Sequence, residues 1–214
     1  MSYLLSAVMG YLVGTVNPAF ILAKLHGFDI REKGSRNAGA SNALLLFGKA
    51  RGALCAVFDI AKAAFIIWLT GHIFAPINTF AVTAAAAILG HIFPFYMGFR
   101  GGKGLACLGG VILAYDLRVF GIMIAAELVI LLVSRYICFV PITAAIAFPF
   151  VYGFMRHDIW GALLLGAVAV VIFWKHRINI RRVIQGSEIR ISYLWNRDKE
   201  VKRLKKFYPD EENT

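Results

Sequence analysis

The sequence predicts an all-α integral membrane protein, a polytopic helical bundle of about seven transmembrane helices. Three observations carry this. Hydrophobic residues make up 59% of the 214 positions and mean hydropathy is +0.69, whereas soluble domains hold roughly 45–50% apolar residues. The apolar residues lie in long uncharged runs, each near the ~20 residues a spanning helix needs. The cations gather at the ends of those runs and in the C-terminal tail.

Taken in order, hydropathy places spans at 3–25, 52–74, 79–97, 104–115, 118–134, 139–155 and 159–174. No Lys or Arg precedes Lys24, so the first run lacks the charged n-region of a signal peptide and reads as a retained span. The fourth run is short for a crossing. It reads as tilted, re-entrant, or merged with the fifth through Tyr115-Asp116-Leu117-Arg118. One transmembrane domain is expected over 1–189 and a charged cytoplasmic tail over 190–214, basic at first and acidic at Asp210, Glu211 and Glu212.

Orientation follows from the cations. With the N-terminus outside, Lys24, Arg31, Lys33, Arg36, Lys49 and Arg51 are cytoplasmic, as are Arg100, Lys103, Arg135 and the tail. Outer loops keep only Arg118 and Arg156, a strong positive-inside bias that predicts N-out, C-in. The net charge of +11 thus points to headgroups and phosphorylated substrates rather than nucleic acid. Cys55, Cys107 and Cys138 are scattered and form no metal or disulfide pattern. No G-x-S-x-G elbow and no His-x4-Asp pair occurs.

Three constellations carry chemistry. Gly34-Ser35-Arg36-Asn37-Ala38-Gly39-Ala40-Ser41-Asn42 is a run of small, hydrogen-bonding residues suited to presenting amides and hydroxyls to an anion; it reads also as a plain polar loop. Gly98-Phe99-Arg100-Gly101-Gly102-Lys103-Gly104 precedes an apolar helix. Its glycines permit close backbone approach, and Lys103 adds a charge at a helix N-terminus. The spacing is not that of a Walker A loop, and a tight interfacial turn with snorkelling cations is the other reading. Trp174-Lys175-His176-Arg177-Ile178-Asn179-Ile180-Arg181-Arg182 ends the last span. There His176 and Asn179 share a helix face, suited to orienting a hydroxyl, and the run reads equally as a basic anchor. Asp59 and Lys62, at i and i+3 in the second span, read as a structural pair lining an inner cavity. Asn17 and His91 are expected to face the same cavity, while Glu127 sits mid-span without an evident partner.

Together with Asp59-x-x-Lys62, Gly90-His91-x-Phe93-Pro94 and Gly186-x-Glu188, these motifs resemble the acyl-phosphate-dependent glycerol-3-phosphate acyltransferases of bacteria, the PlsY family. The resemblance runs from about Gly10 to Glu188. It implies a seven-span, N-out protein of the cell (inner) membrane with its active site facing the cytoplasm. The implied reaction moves an acyl group from acyl phosphate to the sn-1 hydroxyl of glycerol 3-phosphate, giving lysophosphatidic acid and phosphate, with no cofactor or metal. Lys103, His176, Asn179 and Ser35 would be catalytic. Gly34, Asn37, Gly39, Ser41, Asn42, Arg100, Gly101, Gly102, Gly104 and Arg177 would bind substrate.

The chain departs from the family pattern at Leu45, where an arginine is usual, at Cys138 and Pro141 in place of serines, and at Ser41 and Cys107 in place of threonines. Two other readings therefore stand beside the first: a divergent paralogue with another acceptor or weak activity, and a small transporter of a phosphorylated solute. Transport would require a polar path to the outer face.

Overall fold

The structure is a computed structural model that describes residues 1–196 together with 199, 200, 202 and 203. Nine α-helices are described: α1 Ser2–Thr15, α2 Pro18–Leu25, α3 Ala40–Phe47, α4 Lys49–Ile73, α5 Phe80–Ile92, α6 Leu105–Tyr115, α7 Leu117–Ser134, α8 Phe139–Arg156 and α9 Ile159–Ile184. Short 3-10 helices occupy Phe95–Met97 and Ile191–Leu194. No strand occurs among the described residues.

Six segments are long and apolar enough to cross a membrane: Ser2–Leu25, Lys49–Ile73, Phe80–Met97, Leu117–Ser134, Phe139–Arg156 and Ile159–Ile184. The seventh, α6, has 11 residues and at 1.5 Å per residue reaches about half of a ~30 Å hydrocarbon core. It is not merged with α7. Asp116 takes an extended conformation, caps α7 by accepting from the N–H groups of Arg118 and Val119, and reverses the chain. The start of α6 and the residues after α7 consequently border the same cavity.

The first span is broken, which the expected uninterrupted 3–25 run does not anticipate. Pro18 cannot donate and clashes with a preceding turn, so α1 ends at Thr15 and α2 starts afresh. Asn17 caps α2 by accepting from Phe20 N–H, and its amide donates to the Ala38 carbonyl in the first polar loop. Asn17 therefore ties helix to loop, and does not line the cavity as expected. The loop between α2 and α4 also contains a helix, α3, folded back on α4 through Gly48 (φ +88°).

Close helix approach depends on small residues, the usual device where hydrophobic association is weak. A Cβ at Gly14 would lie 2.2 Å from the Ala87 carbonyl oxygen of α5, and one at Gly90 would lie 2.3 Å from that of Tyr11. At the end of the bundle remote from Lys103, Phe80, Tyr115, Phe148 and Tyr152 pack ring against ring. Arg156 covers the Tyr115 face. Glu127, unpartnered in the sequence reading, accepts from Thr143 Oγ1 at 2.7 Å and links α7 to α8.

Gly14→Leu should therefore destabilise the folded protein by about 1–3 kcal/mol or more, read as a lower thermal midpoint in detergent. Gly121→Leu, where an added Cβ meets nothing within 4 Å, should leave that midpoint unchanged.

Candidate active site

The first polar loop is curled by one side chain. Asn42, fully buried, accepts from Ser35 N–H at 2.8 Å and donates to the carbonyls of Ile30 and Lys33 at 2.9 and 3.0 Å. Gly34 (φ +58°) has no room for a Cβ, which would meet Asn42 Oδ1 at 2.4 Å. Asn42, expected among the substrate ligands, is thus spent inside the loop. Its effect is to turn Ser35, Asn37, Gly39 and Ser41 toward a cavity of about 280 Å³. Gly39 there precedes α3, whose first turn this loop leads into.

The glycine-rich loop works differently from the sequence expectation. The N–H groups of Gly101 and Gly102 donate to the carbonyls of Ile92 and His91, so they are not available to an anion. The missing side chains instead allow close packing, since a Cβ on Gly102 would fall 2.1 Å from His91 Nε2. The start of α6, Gly104 (φ +94°), Leu105 and Ala106, forms part of the wall, and the first N–H groups of a helix have no partner within it. A helix N-terminus there favours negative charge. Arg100 is exposed and borders a second cleft.

Lys103, His176 and Asn179, distant in sequence, meet in the cavity wall. Lys103 Nζ donates to Asn179 Oδ1, and Asn179 Nδ2 donates to Glu188 Oε1 at 2.7 Å. Burial is the main influence on Lys103 and holds its pKa down to about 8, against a favourable effect from Glu188. Burial likewise raises the Glu188 carboxyl, whose second oxygen has no partner among the described residues. His176 is buried, and its Nδ1 lies 2.8 Å from the Ile172 carbonyl oxygen. A carbonyl only accepts, so Nδ1 carries the proton and Nε2 of the neutral ring keeps its lone pair. Glu188 belongs to a motif noted in the sequence but was not among the expected site residues. The i to i+9 reach from Asn179 needs the turn at Gly186 (φ +74°), which side-chain spacing does not reveal.

Asp59 and His91 border this cavity as expected, whereas Lys62, expected to line it as the partner of Asp59, is not among its lining residues. Lys62 Nζ lies 2.6 Å from Asp59 Oδ1 and 3.1 Å from His91 Nδ1, and donates to the Val16 carbonyl freed by the helix break.

A second cleft, of about 490 Å³, shares Ser35, Asn37, Lys103 and Arg182 with the first. Arg31, Arg36, Arg100, Lys175 and Arg177 add further cations. Two carboxylates border it as well, Glu32 and Asp29; Asp29 is paired with Arg31, which holds the Asp29 pKa near 2. Arg177 is also committed to its own helix end, donating to the Trp174 carbonyl and stacking 4.1 Å from that ring centroid. The other cavity wall is apolar, formed by residues such as Leu44, Leu45, Leu105, Ile137 and Pro141. The site is therefore two-sided: cations on one flank, hydrocarbon on the other, and Lys103 where they join.

The glycerol-3-phosphate acyltransferase family model matches residues 4–186. The chain belongs to that family. A Paraburkholderia phymatum glycerol-3-phosphate acyltransferase is 36% identical over 197 residues, covering 89% of this chain and 93% of its own. One from Bordetella pertussis is 34% identical over 192 residues, covering 86% and 89%. The crystal structure of PlsY (YgiH), an integral membrane glycerol 3-phosphate acyltransferase, superposes in its glycerol 3-phosphate form with a TM-score of 0.81. The identity is 30%, over 91% of this chain and 98% of that one. The lysophosphatidic acid form gives a TM-score of 0.77 at the same identity, over 89% and 95%. The protein is an acyltransferase of phospholipid synthesis embedded in a membrane.

Membership directs attention to nucleophiles, and the one thiol in the cavity wall is unsuited to the role. Burial, reinforced by the Glu188 charge, pushes the Cys138 pKa to about 12, so little thiolate forms near neutrality. Iodoacetamide at pH 8 should leave Cys138 unmodified by mass spectrometry, and Cys138→Ser should keep at least about half of the acyltransferase rate. A loss of a hundredfold or more would reinstate a covalent acyl-enzyme.

Proposed function

We propose that the protein transfers an acyl group from acyl phosphate to the sn-1 hydroxyl of glycerol 3-phosphate, releasing lysophosphatidic acid and inorganic phosphate. The observation that carries this is the union of a basic cleft with an apolar cavity at Lys103. Two phosphate-bearing substrates, one with a hydrocarbon chain, need that combination.

The hydroxyl oxygen attacks the acyl carbon, a C–O bond forms, and the carbon–oxygen bond to phosphate breaks with its electrons leaving on phosphate. An acyl phosphate is already activated, so the protein need only position and stabilise charge. Lys103 and the first amides of α6 face the departing phosphate. His176 Nε2 accepts the hydrogen bond of the attacking hydroxyl, and Ser35 adds a second polar contact on the shared wall. The hydroxyl proton has two acceptors in reach, Nε2 and a substrate phosphate oxygen. Arg36 and Arg100, which are not tied up as Arg31 and Arg177 are, hold the glycerol phosphate in the basic cleft.

We place this site on the cytoplasmic face of a bacterial inner membrane, with the N-terminus outside. The support is the gathering of Lys and Arg at the site end of the bundle. Transport is disfavoured by the ring cluster of Phe80, Tyr115, Phe148 and Tyr152, which fills the opposite end. The paralogue reading draws on Leu45, which adds only apolar surface to the cavity. Arg182 and Arg190 border that same cavity and supply cations there.

Purified protein in lipid, given acyl phosphate and glycerol 3-phosphate, should release phosphate and form lysophosphatidic acid. Lys103→Ala should lower that rate by about 10²–10³-fold, the size of losing one preorganised charge stabiliser, while still inserting and folding. Phosphate release that does not require glycerol 3-phosphate would instead favour another acceptor.

Lys103 is charged below about pH 8 and neutral above it. Because the charged form is the one that stabilises phosphate, kcat/KM, which reports the free enzyme, should be lost as pH rises through about 8. A bound phosphate favours the ammonium, so the corresponding limb in kcat should lie at higher pH. A kcat/KM profile flat from pH 7 to 9.5 would remove the charge on Lys103 from the mechanism.

A further inference from the structure

In the stretch read from the sequence as a charged cytoplasmic tail, residues within 190–196 together with Glu200 and Arg203 contact the backbone around the site, and the acidic end at Asp210, Glu211 and Glu212 lies outside the described residues. Arg203 donates to the carbonyls of Gly186 and Glu188, bracketing the turn that presents the Glu188 side chain. The Glu200 carboxylate, on a residue only 4% exposed, accepts from Arg203 and from the Arg190 backbone N–H at 2.9 Å. Ser192 adds a longer bond to the same carboxylate. Ile191 N–H donates to the Arg135 carbonyl, and Arg190 Nε reaches the Tyr136 hydroxyl. Between these anchors, Ile189, Arg190 and Tyr193 complete the cavity wall. The family match ends at residue 186, so this clamp lies outside it.

We infer that Glu200 and Arg203 are positioning residues for the acyl transfer, clamping the 186–190 turn so that Glu188 holds Asn179 and, through it, Lys103. The connection is continuous: Arg203 to the Glu188 backbone, Glu188 Oε1 to Asn179 Nδ2, Asn179 Oδ1 to Lys103 Nζ. A guanidinium can span two carbonyls and a carboxylate at once through its planar fork, which an ammonium does poorly. A buried carboxylate without such fixing would turn toward water, taking its charge away from Lys103.

The effect on turnover rests on the function proposed above; the effect on Lys103 does not. The charged and titratable groups facing Lys103 are Glu188 and Arg182 around the end of α9, Lys175 and His176 within it, and Cys138 before α8. Asp59 and His91 border the same cavity. Among the carboxylates, Glu188 is the one that favours the Lys103 ammonium. If the clamp positions Glu188, releasing it lowers the pH at which Lys103 loses its proton. If Arg203 were only a nearby cation, deleting it would raise that pH. The two roles therefore differ in sign.

The test is competitive amine labelling of the full-length protein in lipid across pH 6–11, with Lys103 modification read by mass spectrometry. It is run for the unaltered chain, Arg203→Ala, Arg203→Lys and Glu200→Gln, alongside acyl-transfer turnover. In Arg203→Ala and Glu200→Gln the Lys103 midpoint should fall by about one unit and turnover by about tenfold or more, with Arg203→Lys between them and the unaltered chain. Should Arg203→Ala fail to fold, Arg203→Lys carries the comparison, because it keeps the cation: a lowered Lys103 midpoint there reports the lost clamp, and an unchanged one overturns it. An unchanged or raised midpoint in Arg203→Ala, or a lowered midpoint with unchanged turnover, overturns the positioning role. If the unaltered protein shows no acyl transfer, the proposed function falls and the labelling midpoints alone decide the clamp.

Discussion

The structure depends first on an ion cluster placed where water is scarce. Asp59, Lys62 and His91 are each almost wholly buried within membrane-crossing helices, and isolated charges at that depth are costly. They are tolerated because each satisfies another, and the spare capacity of the cluster is used for construction. Lys62 takes the Val16 carbonyl, whose helical donor, the Phe20 N–H, is turned to the Asn17 side chain. His91 receives Gly102 N–H at its carbonyl and lays its ring where a Gly102 side chain would be. One cluster thus fixes the broken first span against α4 and the glycine-rich loop against α5. Removing a single member would leave the others buried and unpaired, which costs about 3–5 kcal/mol in comparable sites. The paired cost explains why the whole set is present.

Around that anchor, the polar loops are shaped by side chains that never reach the cavity. Asn17 binds Ala38 across the helix break, and Asn42 closes the loop on Ser35, Ile30 and Lys33. These carboxamides do for irregular backbone what helix hydrogen bonds do elsewhere, which is required when a loop is buried. Ser35 and Lys103 then meet across a gap set by rigid neighbours. The same logic separates the two asparagines that the sequence treats alike: Asn179 joins a lysine to a glutamate, whereas Asn42 joins backbone to backbone.

How much of this was legible in the sequence varies with the physical range of the signal. Hydropathy finds spans because the bilayer imposes a length on each one, and the limits of α4, α7 and α8 fall close to those expected. The break at Asn17-Pro18 was legible in kind, since Pro inside a helical run is a known disruptor, yet the apolar average hid it. The shared face of His176 and Asn179 followed from their i, i+3 spacing, whereas their grouping with Lys103 was implied by the family resemblance. What spacing could not convey is orientation. Whether Gly101 and Gly102 offer amides to an anion or surrender them to His91 and Ile92 depends on packing between segments remote in sequence. The contacts of Glu200 and Arg203 were not legible for the same reason: these residues have no apolar periodicity, and their partners are mostly backbone atoms.

The apolar flank of the cavity bears on why such a site lies where it does. On the proposed reading, the acyl chain of the donor resides in hydrocarbon while its phosphate must meet a water-soluble phosphate monoester. Only a boundary position serves both, and Lys103 occupies it, buried enough to lose solvation yet bordered by the basic cleft. Desolvation weakens the Lys103 ammonium, which looks like a defect. It also means that an arriving phosphate meets a cation with few competing waters, in a medium where attraction falls off slowly. Glu188 and Asn179 moderate the cost without neutralising the lysine, because Asn179 stands between the charges. A direct Lys103–Glu188 ion pair would satisfy the lysine more fully and leave less for the substrate. The interposed carboxamide keeps the cation aimed and unspent, which is what charge stabilisation of a departing phosphate demands.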